Sequence, residues 1–424
     1  MLSKILKSFL NFLKKFPRLR KSLNKFYAWR IFEIIPRLKK IIYKFYDKFW
    51  YLELYIDNNE QNLSNILQNN LKIDIDRLKY YVDYPPIYSI DRNFNLEKNW
   101  DIYNNLEKIE ELNQFVFLKE HFLDKKDWKE ISLYNIFIEQ IIQYEEKFDY
   151  IDADQFTELL NSLDELYYNF DLEKVKNKIK VGIGSRGEFI LFEGIFFLSL
   201  LRILDVSTVP IEVIARHPQW TKFCNEFLKF KSIHGGIYQP LIHPDLNLKS
   251  FENNSEERFK IIKDNLNKNT GTVLDIGANL GFFCHKFEDL GYSCHAVEIR
   301  PSNIYFMKKL RDIEGKKFKI INKSIFDLKN SKEFDIVIAL NIFHHFLREK
   351  KLYFKLIKFL KTLKLKVMFF QPHDPNEEIM KNAYYNYNNR QFVDFIVRFS
   401  CLNKFTLLNE NVDGRNRPIY KLIK

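Results

Sequence analysis

The sequence contains only four cysteines and twelve glycines in 424 residues. Scattered cysteines in a chain of this length do not form the disulfide framework of a small secreted domain, and they favour a reducing compartment. The chain also lacks any run of about eighteen apolar residues, so we expect no transmembrane helix. The N-terminus has no continuous apolar segment followed by a small-residue cleavage site, so we expect a cytoplasmic protein without a secretory signal.

The excess of basic over acidic residues is confined to residues 1–50, which we call the basic arm. The arm holds 14 Lys and Arg against 2 Asp and Glu, whereas the rest of the chain has 53 of each kind, so the arm carries the whole net charge of +12. A neutral body argues against a protein that binds nucleic acid over a broad surface, and makes nucleic acid the less favoured partner.

Residues 2–16 of the basic arm place Leu, Ile and Phe at helical spacing on one face and mostly Lys on the other, and Pro17 ends the pattern. Such a helix can lie on an anionic membrane surface, which would make the protein peripheral at the inner face of the membrane. The alternative is a helix that docks its apolar face on the body of the protein. Contact with RNA is a third, weaker interpretation.

Residues 51–175 are interpreted as a mainly helical region, with the clearest helix from Trp128 to Gln143. Tyr84-Pro85-Pro86-Ile87 predicts a loop within this region. Residues 176–250 then change to strand periodicity and predict a small α+β domain with a connector. In it, Gly184-Ser185-Arg186-Gly187 predicts a hairpin turn, and a strand over 209–216 follows a helix that opens at Glu193-Gly194.

The order of hairpin, helix and strand in residues 176–220 resembles the ParB-like domain. In that family an Asp-Gly-x-His-Arg signature opens the helix and handles nucleotide or phosphate. Here Glu193-Gly194 fits the first two positions, but Ile195, Phe196 and Phe197 replace the others. The resemblance therefore implies a degenerate domain that serves as a scaffold or faces the substrate, with Arg186, Arg216 and His217 left as candidate anion-binding groups.

From Thr272 onwards strands and helices alternate, which predicts an α/β fold in residues 251–424. We expect a Rossmann-like, doubly wound sheet with an antiparallel last strand and the ligand at the carboxyl ends of the strands. The predicted strands cover 273–275, 293–298, 317–321, 334–340, 366–370, 405–409 and 418–423, the last two joined through Asp413-Gly414, and the predicted helices cover 280–290, 303–311, 350–363 and 376–399.

The first of these strands ends in Asp275 and runs into a glycine turn, Gly277 to Gly281. A dinucleotide site requires a third glycine so that the backbone can approach the pyrophosphate, but Asn279 stands at the middle position. A carboxylate at Asp275 would also repel a diphosphate and suits a cationic ligand. The turn therefore disfavours a dehydrogenase.

The Asp-x-Gly-x-x-x-Gly stretch resembles motif I of class I S-adenosylmethionine-dependent methyltransferases. The resemblance implies S-adenosylmethionine as cofactor, with Glu298 accepting hydrogen bonds from the ribose hydroxyls and Asn341 lining the methionine and substrate pocket. Ser324 stands where the family often has an acid near the adenine amine, and Ile325 can stack on that ring. The residues assigned to the cofactor are Asp275, Gly277, Asn279, Gly281, Phe282, Glu298, Ser324, Ile325 and Asn341.

Three histidines follow the fourth and fifth strands of the predicted sheet: His344, His345 and His373. Each is a candidate general base, because imidazole titrates near neutral pH, and Asp374 is a candidate orienter for His373. The alternative is that these rings pack or hydrogen-bond locally. We assign no metal site, because the Cys284-His285 and Cys294-His295 pairs are typical of small core residues beside a sheet.

The sequence thus predicts a methyltransferase whose acceptor is unidentified. Charge placement favours an acceptor at a membrane surface, such as a glycan or polysaccharide precursor. Two alternatives remain: an RNA methyltransferase that uses the basic arm as an electrostatic handle, and a non-catalytic protein that binds S-adenosylmethionine or serves as a scaffold.

Overall fold

The computed structural model describes residues 67–82, 101, 106–148, 153–246, 254–268, 270–328, 333–412 and 417–424. The predictions for the basic arm, for residues 84–87 and for Asp413-Gly414 lie outside the described residues. Within the described residues, no helix combines the length and apolar content needed to cross a bilayer. The strands of the described residues form two sheets, one upstream and one downstream along the chain.

The upstream sheet has six strands in the order β1-β6-β4-β5-β2-β3. They are β1 (Asn70–Asp74), β2 (Leu78–Val82), β3 (Leu106–Lys108), β4 (Lys180–Ile183), β5 (Phe189–Glu193) and β6 (Thr208–Arg216). The accompanying helices are α1 (Asn113–Phe122), α2 (Ser132–Phe148), α3 (Ala153–Tyr168), α4 (Ile195–Ile203) and α5 (Pro218–Ile233).

The predicted hairpin is confirmed: β4 and β5 pair antiparallel, and the Gly187 amide donates to the Gly184 carbonyl at 3.0 Å. The upstream sheet contains strands from both sides of the predicted domain boundary at residue 176, because β1 pairs with β6 and β2 pairs with β5. The prediction of a mainly helical region over 51–175 accounts for α1 to α3 but does not include the strands β1 to β3. These strands are only three to five residues long, and the sequence around them is rich in Asn and Asp, which are depleted in strands. The resemblance to a ParB-like domain stays a prediction.

The downstream sheet has seven strands: β7 (Gly271–Ile276), β8 (Tyr292–Glu298), β9 (Lys319–Asn322), β10 (Phe334–Leu340), β11 (Leu365–Gln371), β12 (Lys404–Asn409) and β13 (Ile419–Ile423). Its helices are α6 (Ser255–Asp264), α7 (Phe282–Asp289), α8 (Pro301–Ile313), α9 (His344–Leu347), α10 (Lys350–Thr362) and α11 (Asn389–Phe399).

The order of the downstream sheet is β12-β13-β11-β10-β7-β8-β9. Strands β7 to β11 pair in parallel, whereas β13 lies antiparallel between β11 and β12. The predicted doubly wound fold with an antiparallel last strand is confirmed. The chain leaves β7 in one direction and returns to its other side at β10, so a crevice opens between the carboxyl ends of these two strands.

The predicted helix over 376–399 is wrong in its first half. Only Asn389–Phe399 is helical, and Asn388 and Gln391 begin it with a reciprocal capping box. The preceding chain holds one short 3-10 helix, Glu378–Met380, and then a tyrosine-rich loop over 381–388. The Asn388 side chain bonds the first turn of α11 and so sets its start at residue 389.

Aromatic packing joins the upstream helix α5 to the downstream helix α8. Phe223, Phe227 and Phe230 each lie within 6.0 Å of the Phe306 ring, measured between centroids. Nearby, Arg77 forms a salt bridge of 2.6 Å with Glu314, whose side chain is 6% exposed. The segment between α5 and α6 thereby starts close to the downstream sheet.

Candidate functional site

The crevice of the downstream sheet is bounded by the Gly277–Gly281 turn after β7 and by residues 341–345 after β10. Gly277 has φ +76°, and a Cβ placed there would lie 2.8 Å from the Ile342 side chain. Glycine is therefore needed both for the backbone conformation and for the close approach of the two segments. The segments that follow β7 and β10 are far apart in the sequence, and they meet here through Gly277 and Ile342.

Asn279 and Asn341 adopt left-handed backbone conformations, with φ +55° and +50°. This region is costly for most residues but is tolerated by Asn. One Asn lies on each side of the crevice, so each segment turns sharply as it leaves its strand. Local strain of this kind gathers at functional sites.

Glu298 ends β8 as a carboxylate fixed by backbone amides. Its Oε2 accepts from the Asn279 amide at 3.0 Å, and its Oε1 accepts from the amides of Ile299 and Arg300 at 2.8 and 2.9 Å. A carboxylate offers about four acceptor positions, so these three bonds leave room for a ligand hydroxyl. This geometry fits the ribose-binding role that the resemblance implies.

Asp275 is only 3% exposed at the end of β7. Burial raises its pKa to about 7, the Cys284 thiol at 3.8 Å opposes the shift, and the charge of Glu298 adds to it. A positive ligand would restore the charged form of this carboxyl group. The site therefore fits a cationic cofactor such as S-adenosylmethionine.

Four other residues assigned to the cofactor also have structural roles in the fold. Gly281, at φ +87°, begins α7. The Phe282 side chain is buried in the core, so only its backbone at the start of α7 is open to a ligand role. Ser324 Oγ accepts from the Phe326 amide and caps a short 3-10 helix, and Ile325 packs in the core beside Val297. Their contacts with a cofactor stay predictions.

Asn341 is held by a chain of oriented amides that the sequence did not reveal. Gln371 Nε2 donates to the Arg417 carbonyl at 2.8 Å, which turns Gln371 Oε1 towards Asn341. Asn341 Nδ2 donates to that oxygen at 3.0 Å and to the Tyr238 hydroxyl at 3.3 Å. Asn341 Oδ1 is then a buried acceptor without a partner in the described part of the chain. A donor group of a ligand would satisfy it.

The three predicted histidines gather at one rim of the crevice. The His344 ring centroid lies 4.1 Å from that of His345 and 5.2 Å from that of His373. Burial, with the neighbouring rings of His345 and His373, lowers the pKa of His344 to about 2. Desolvation and the charges of Arg348 and Arg300 also lower the pKa of His345, although its side chain is exposed. His344 is thus a very weak base.

His373 is held in one tautomer by Asn386. Asn386 Nδ2 donates to the Pro375 carbonyl at 2.8 Å, so its Oδ1 faces His373 and must accept from His373 Nε2–H at 3.1 Å. Nδ1 of His373 is left as a buried lone pair with no partner among the described residues. Burial is the main cause that lowers the pKa of His373, and the Asn386 bond opposes it. His373 is therefore a neutral acceptor at pH 7.

The orienter of His373 is Asn386, and the prediction of Asp374 is wrong. Asp374 Oδ1 accepts from the Asn376 amide at 2.9 Å and so shapes the loop after β11. No local signal links Asn386 to His373, because thirteen residues separate them. The tyrosines on either side of Asn386 hold the loop in place.

Two of the polar candidates of the upstream sheet, Arg216 and His217, serve the fold, whereas anion binding by Arg186 stays a prediction. Arg216 bonds the buried Asp245 carboxylate at 2.7 Å as well as Asn69 and the Gln68 carbonyl, so its guanidinium group is engaged. His217 Nδ1 accepts from the Gln219 amide and caps α5. The interpretation of Cys284 and Cys294 as core residues is confirmed, since both are buried.

Comparison with protein families matches residues 267–404 to a methyltransferase domain. No curated protein matches the chain. Among solved structures, the bifunctional kinase-methyltransferase WbdD aligns at 19% identity and a TM-score of 0.39, over 44% of this chain and 43% of that one, so the alignment spans less than half of WbdD.

Two other structures align over 40% of this chain. Magnesium protoporphyrin IX methyltransferase from Synechocystis PCC 6803, solved with bound S-adenosylmethionine, is 11% identical over 77% of its length, with a TM-score of 0.31. A putative S-adenosylmethionine-dependent methyltransferase from Listeria monocytogenes is 12% identical over 97% of its length, with the same TM-score of 0.31.

Proposed function

Because residues 267–404 match a methyltransferase domain, we propose that the chain uses S-adenosylmethionine to methylate a hydroxyl group of a membrane-proximal glycan or polysaccharide precursor. The observation that carries the choice of a hydroxyl is the buried lone pair of His373 Nδ1. A hydroxyl is a poor nucleophile until its proton is removed, so its methylation calls for a base at the rim.

S-adenosylmethionine supplies a methyl group on a positively charged sulfur, and the residues of this chain bind it and orient the acceptor. In this proposal Glu298 accepts from the ribose hydroxyls, Asp275 balances the positive charge and Asn341 Oδ1 accepts from the amino group of the methionine moiety. Gly277 keeps the two segments of the crevice close enough to reach one ligand. Most of the rate gain then comes from positioning.

His373 acts as the general base in the proposed reaction. Its Nδ1 takes the proton of the acceptor hydroxyl as the new carbon–oxygen bond forms, and Asn386 Oδ1 accepts from Nε2–H and steadies the cation that results. His344 lies close by, but its strongly lowered pKa makes it a poor proton acceptor. We therefore assign the base to His373 and a packing role to His344.

The location at a membrane is proposed from charge placement. The basic arm carries the whole net charge of the chain, and its apolar and basic residues alternate at helical spacing. Such a segment is attracted to anionic lipid headgroups without spanning the bilayer. A peripheral position would bring the crevice near a lipid-linked acceptor.

The experiment that tests this function is transfer of a labelled methyl group from S-adenosylmethionine into fractionated cell extract. We expect label in the lipid-linked glycan fraction, loss of label with His373→Ala, and binding to anionic liposomes that requires residues 1–50. Label in RNA, with binding that falls steeply with salt, would instead support the RNA methyltransferase alternative. Failure to bind S-adenosylmethionine in calorimetry would leave the scaffold alternative.

A further inference from the structure

A cluster of exposed aromatic side chains, whose rings are tilted against one another, lies beside Asn386, the hydrogen-bond partner of His373. We call Phe354, Tyr384 and Tyr385 the aromatic shelf; their side chains are 54%, 40% and 43% exposed. The Phe354 and Tyr384 ring centroids are 6.5 Å apart, and those of Tyr384 and Tyr385 are 4.9 Å apart. Exposed Ile379 belongs to the short 3-10 helix of the same loop. Exposed aromatic groups gathered in this way mark a binding surface more often than scattered ones do.

The aromatic shelf is held rigidly from below. The Tyr385 ring stacks on Tyr353 at 4.6 Å and on Tyr387 at 5.5 Å, with interplanar angles of 25° and 10°. The hydroxyl groups of Tyr353 and Tyr387 are joined by a hydrogen bond of 2.9 Å. A surface supported in this manner loses little conformational entropy when a ligand binds.

Backbone hydrogen bonds join the aromatic shelf to the rim on both of its sides. The amides of Tyr384 and Tyr385 donate to the carbonyls of Arg348 and Leu347, at the end of the helix that begins with His344. The next residue, Asn386, is the one that bonds His373. The shelf and the candidate base are therefore parts of one continuous structure.

We propose that the aromatic shelf is the acceptor subsite, on which a pyranose ring lays its apolar C–H face while one of its hydroxyl groups points to His373. The inference rests on the proposed function and names the part of the acceptor that is recognised. A sugar ring combines an apolar face with a polar rim, and tyrosine presents an apolar ring with a hydroxyl at its edge. The negative face of an aromatic ring attracts polarised C–H groups.

The size of the surface separates a sugar from a protein partner. A stable protein interface buries roughly 800 Å² on each partner. Three exposed rings with one neighbouring isoleucine form a much smaller surface, comparable to one or two sugar rings. The shelf also adjoins the rim of a crevice, whereas a protein partner requires a broader surface.

The test is saturation-transfer NMR on the full chain with S-adenosylhomocysteine present and with the methyl glycosides of glucose, galactose and mannose as probes. We expect transfer to the ring protons of at least one glycoside, and a dissociation constant raised roughly tenfold in Tyr384→Ala/Tyr385→Ala. Tyr385→Phe should keep the signal because it keeps the ring face. Tyr168→Ala is the matched control, since Tyr168 is an exposed tyrosine of α3 in the upstream half.

Three results would overturn the inference: no transfer to any of the glycosides, equal transfer in the shelf variant, or equal loss in Tyr168→Ala. Thermal unfolding and S-adenosylhomocysteine affinity of each variant separate a folding defect from loss of the subsite. If glycosides bind the shelf but no glycan is methylated in extract, the proposed function fails while the subsite stands. Methylation of a glycan that is unchanged in the shelf variant refutes the subsite alone.

Discussion

The upstream and downstream sheets each contain a strand that passes through a left-handed glycine into a helix. Gly194 begins α4 with φ +92°, and Gly281 begins α7 with φ +87°, and neither helix has a side-chain cap. A Cβ at Gly194 would collide with the Lys178 carbonyl, whereas a Cβ at Gly281 would meet the flexible Met307 side chain at 3.0 Å. The first glycine is required by backbone packing.

The difference shows that a glycine turn before a helix does not identify a ligand site. What distinguishes the downstream turn is its polar surroundings: Asp275 lies one residue before the end of β7, Glu298 ends the neighbouring strand and Asn279 lies within the turn itself. At the upstream turn, Glu193 is engaged in a salt bridge of 2.7 Å with Lys180. We expect substitutions upstream to affect stability and substitutions downstream to affect ligand binding and rate.

The largest effect is expected at His373. His373→Ala should lower kcat by roughly 10²–10⁴-fold with cofactor affinity nearly unchanged, because it removes the proposed base. In the wild type, kcat should fall as the pH drops through the pKa of His373, since the protonated ring cannot accept a proton; burial places this pKa below the ordinary 6.5. Steady-state kinetics from pH 5 to 8 measure both.

The upstream control for His373 is His217, which caps α5. His217→Ala should cost about 1 kcal/mol of unfolding free energy, as loss of an N-cap does, and should leave kcat as it is. An equal loss of kcat in both variants would contradict the proposal that the upstream sheet contributes to stability and the downstream sheet to catalysis.

The next largest effect is on stability, at Gly194. Gly194→Ala should lower the free energy of unfolding by about 3 kcal/mol or more, since it adds strain at positive φ to a collision with backbone. Gly315→Ala is the matched control, because Gly315 also has positive φ (+61°) but no atom lies within 4 Å of its added Cβ. Urea denaturation compares them, and equal losses would show that backbone conformation alone matters.

The downstream strands could be predicted because parallel strands buried on both faces are continuous apolar runs. Phe334–Leu340 matches its prediction residue for residue. The upstream strands β1 and β2 were missed because each has only five residues and the sequence around them is rich in Asn and Asp, which are depleted in strands. Asp275 and Glu298 were found because they end strands, but Gln371 and Asn386 act on residues that only the folded chain brings near.

A smaller effect is expected at Glu298. Glu298→Gln keeps the shape of the side chain but removes its charge and replaces one of its two acceptor oxygens, which together accept from three backbone amides. Because hydrogen bonds to a charged group contribute about 1.5–3 kcal/mol, the dissociation constant for S-adenosylhomocysteine should rise roughly 10–100-fold. Calorimetry measures it. Glu193→Gln upstream is the control, and an unchanged affinity in Glu298→Gln would contradict the ribose assignment.

Asp275 should make cofactor binding depend on pH. Its pKa is about 7 in the folded protein against 3.8 ordinarily, so the ligand-free protein should lose stability as pH rises from about 4 to 7. A cationic ligand favours the carboxylate, so S-adenosylmethionine should bind roughly tenfold more weakly at pH 6 than at pH 8. Calorimetry at both values tests this, and Asp275→Asn should abolish the difference.

Asp335 is the control for Asp275, because it lies at the amino end of β10, away from the crevice, and its pKa is shifted in the opposite direction. The Lys366 ammonium and the Thr272 amide and hydroxyl lower its pKa to about 2. Asp335→Asn should therefore reduce stability at neutral pH and leave the pH dependence of binding intact. A pH dependence that survives Asp275→Asn would assign the titration to another group.

The smallest effect is expected at Tyr238, where the two halves of the chain meet at the crevice. Tyr238 belongs to the segment after the upstream helix α5, and its hydroxyl accepts from Asn341 Nδ2 at 3.3 Å. Tyr238→Phe removes one of the two bonds that orient this amide, so Asn341 Oδ1 should hold the cofactor's amino group less well. One neutral hydrogen bond is worth about 1 kcal/mol, which corresponds to roughly fivefold in affinity.

The readout for Tyr238 compares S-adenosylhomocysteine with its analogue that lacks the amino group. In the wild type, loss of the amine should weaken binding more than it does in Tyr238→Phe, so the two changes should be non-additive. Tyr305→Phe is the matched control, because the Tyr305 hydroxyl also bridges the two halves, to Glu226 at 2.7 Å, on α8 away from Asn341. If Tyr238→Phe lowers the affinity for both ligands equally, Tyr238 supports the crevice only mechanically. The upstream half would then contribute to stability, and the downstream half to ligand binding and rate.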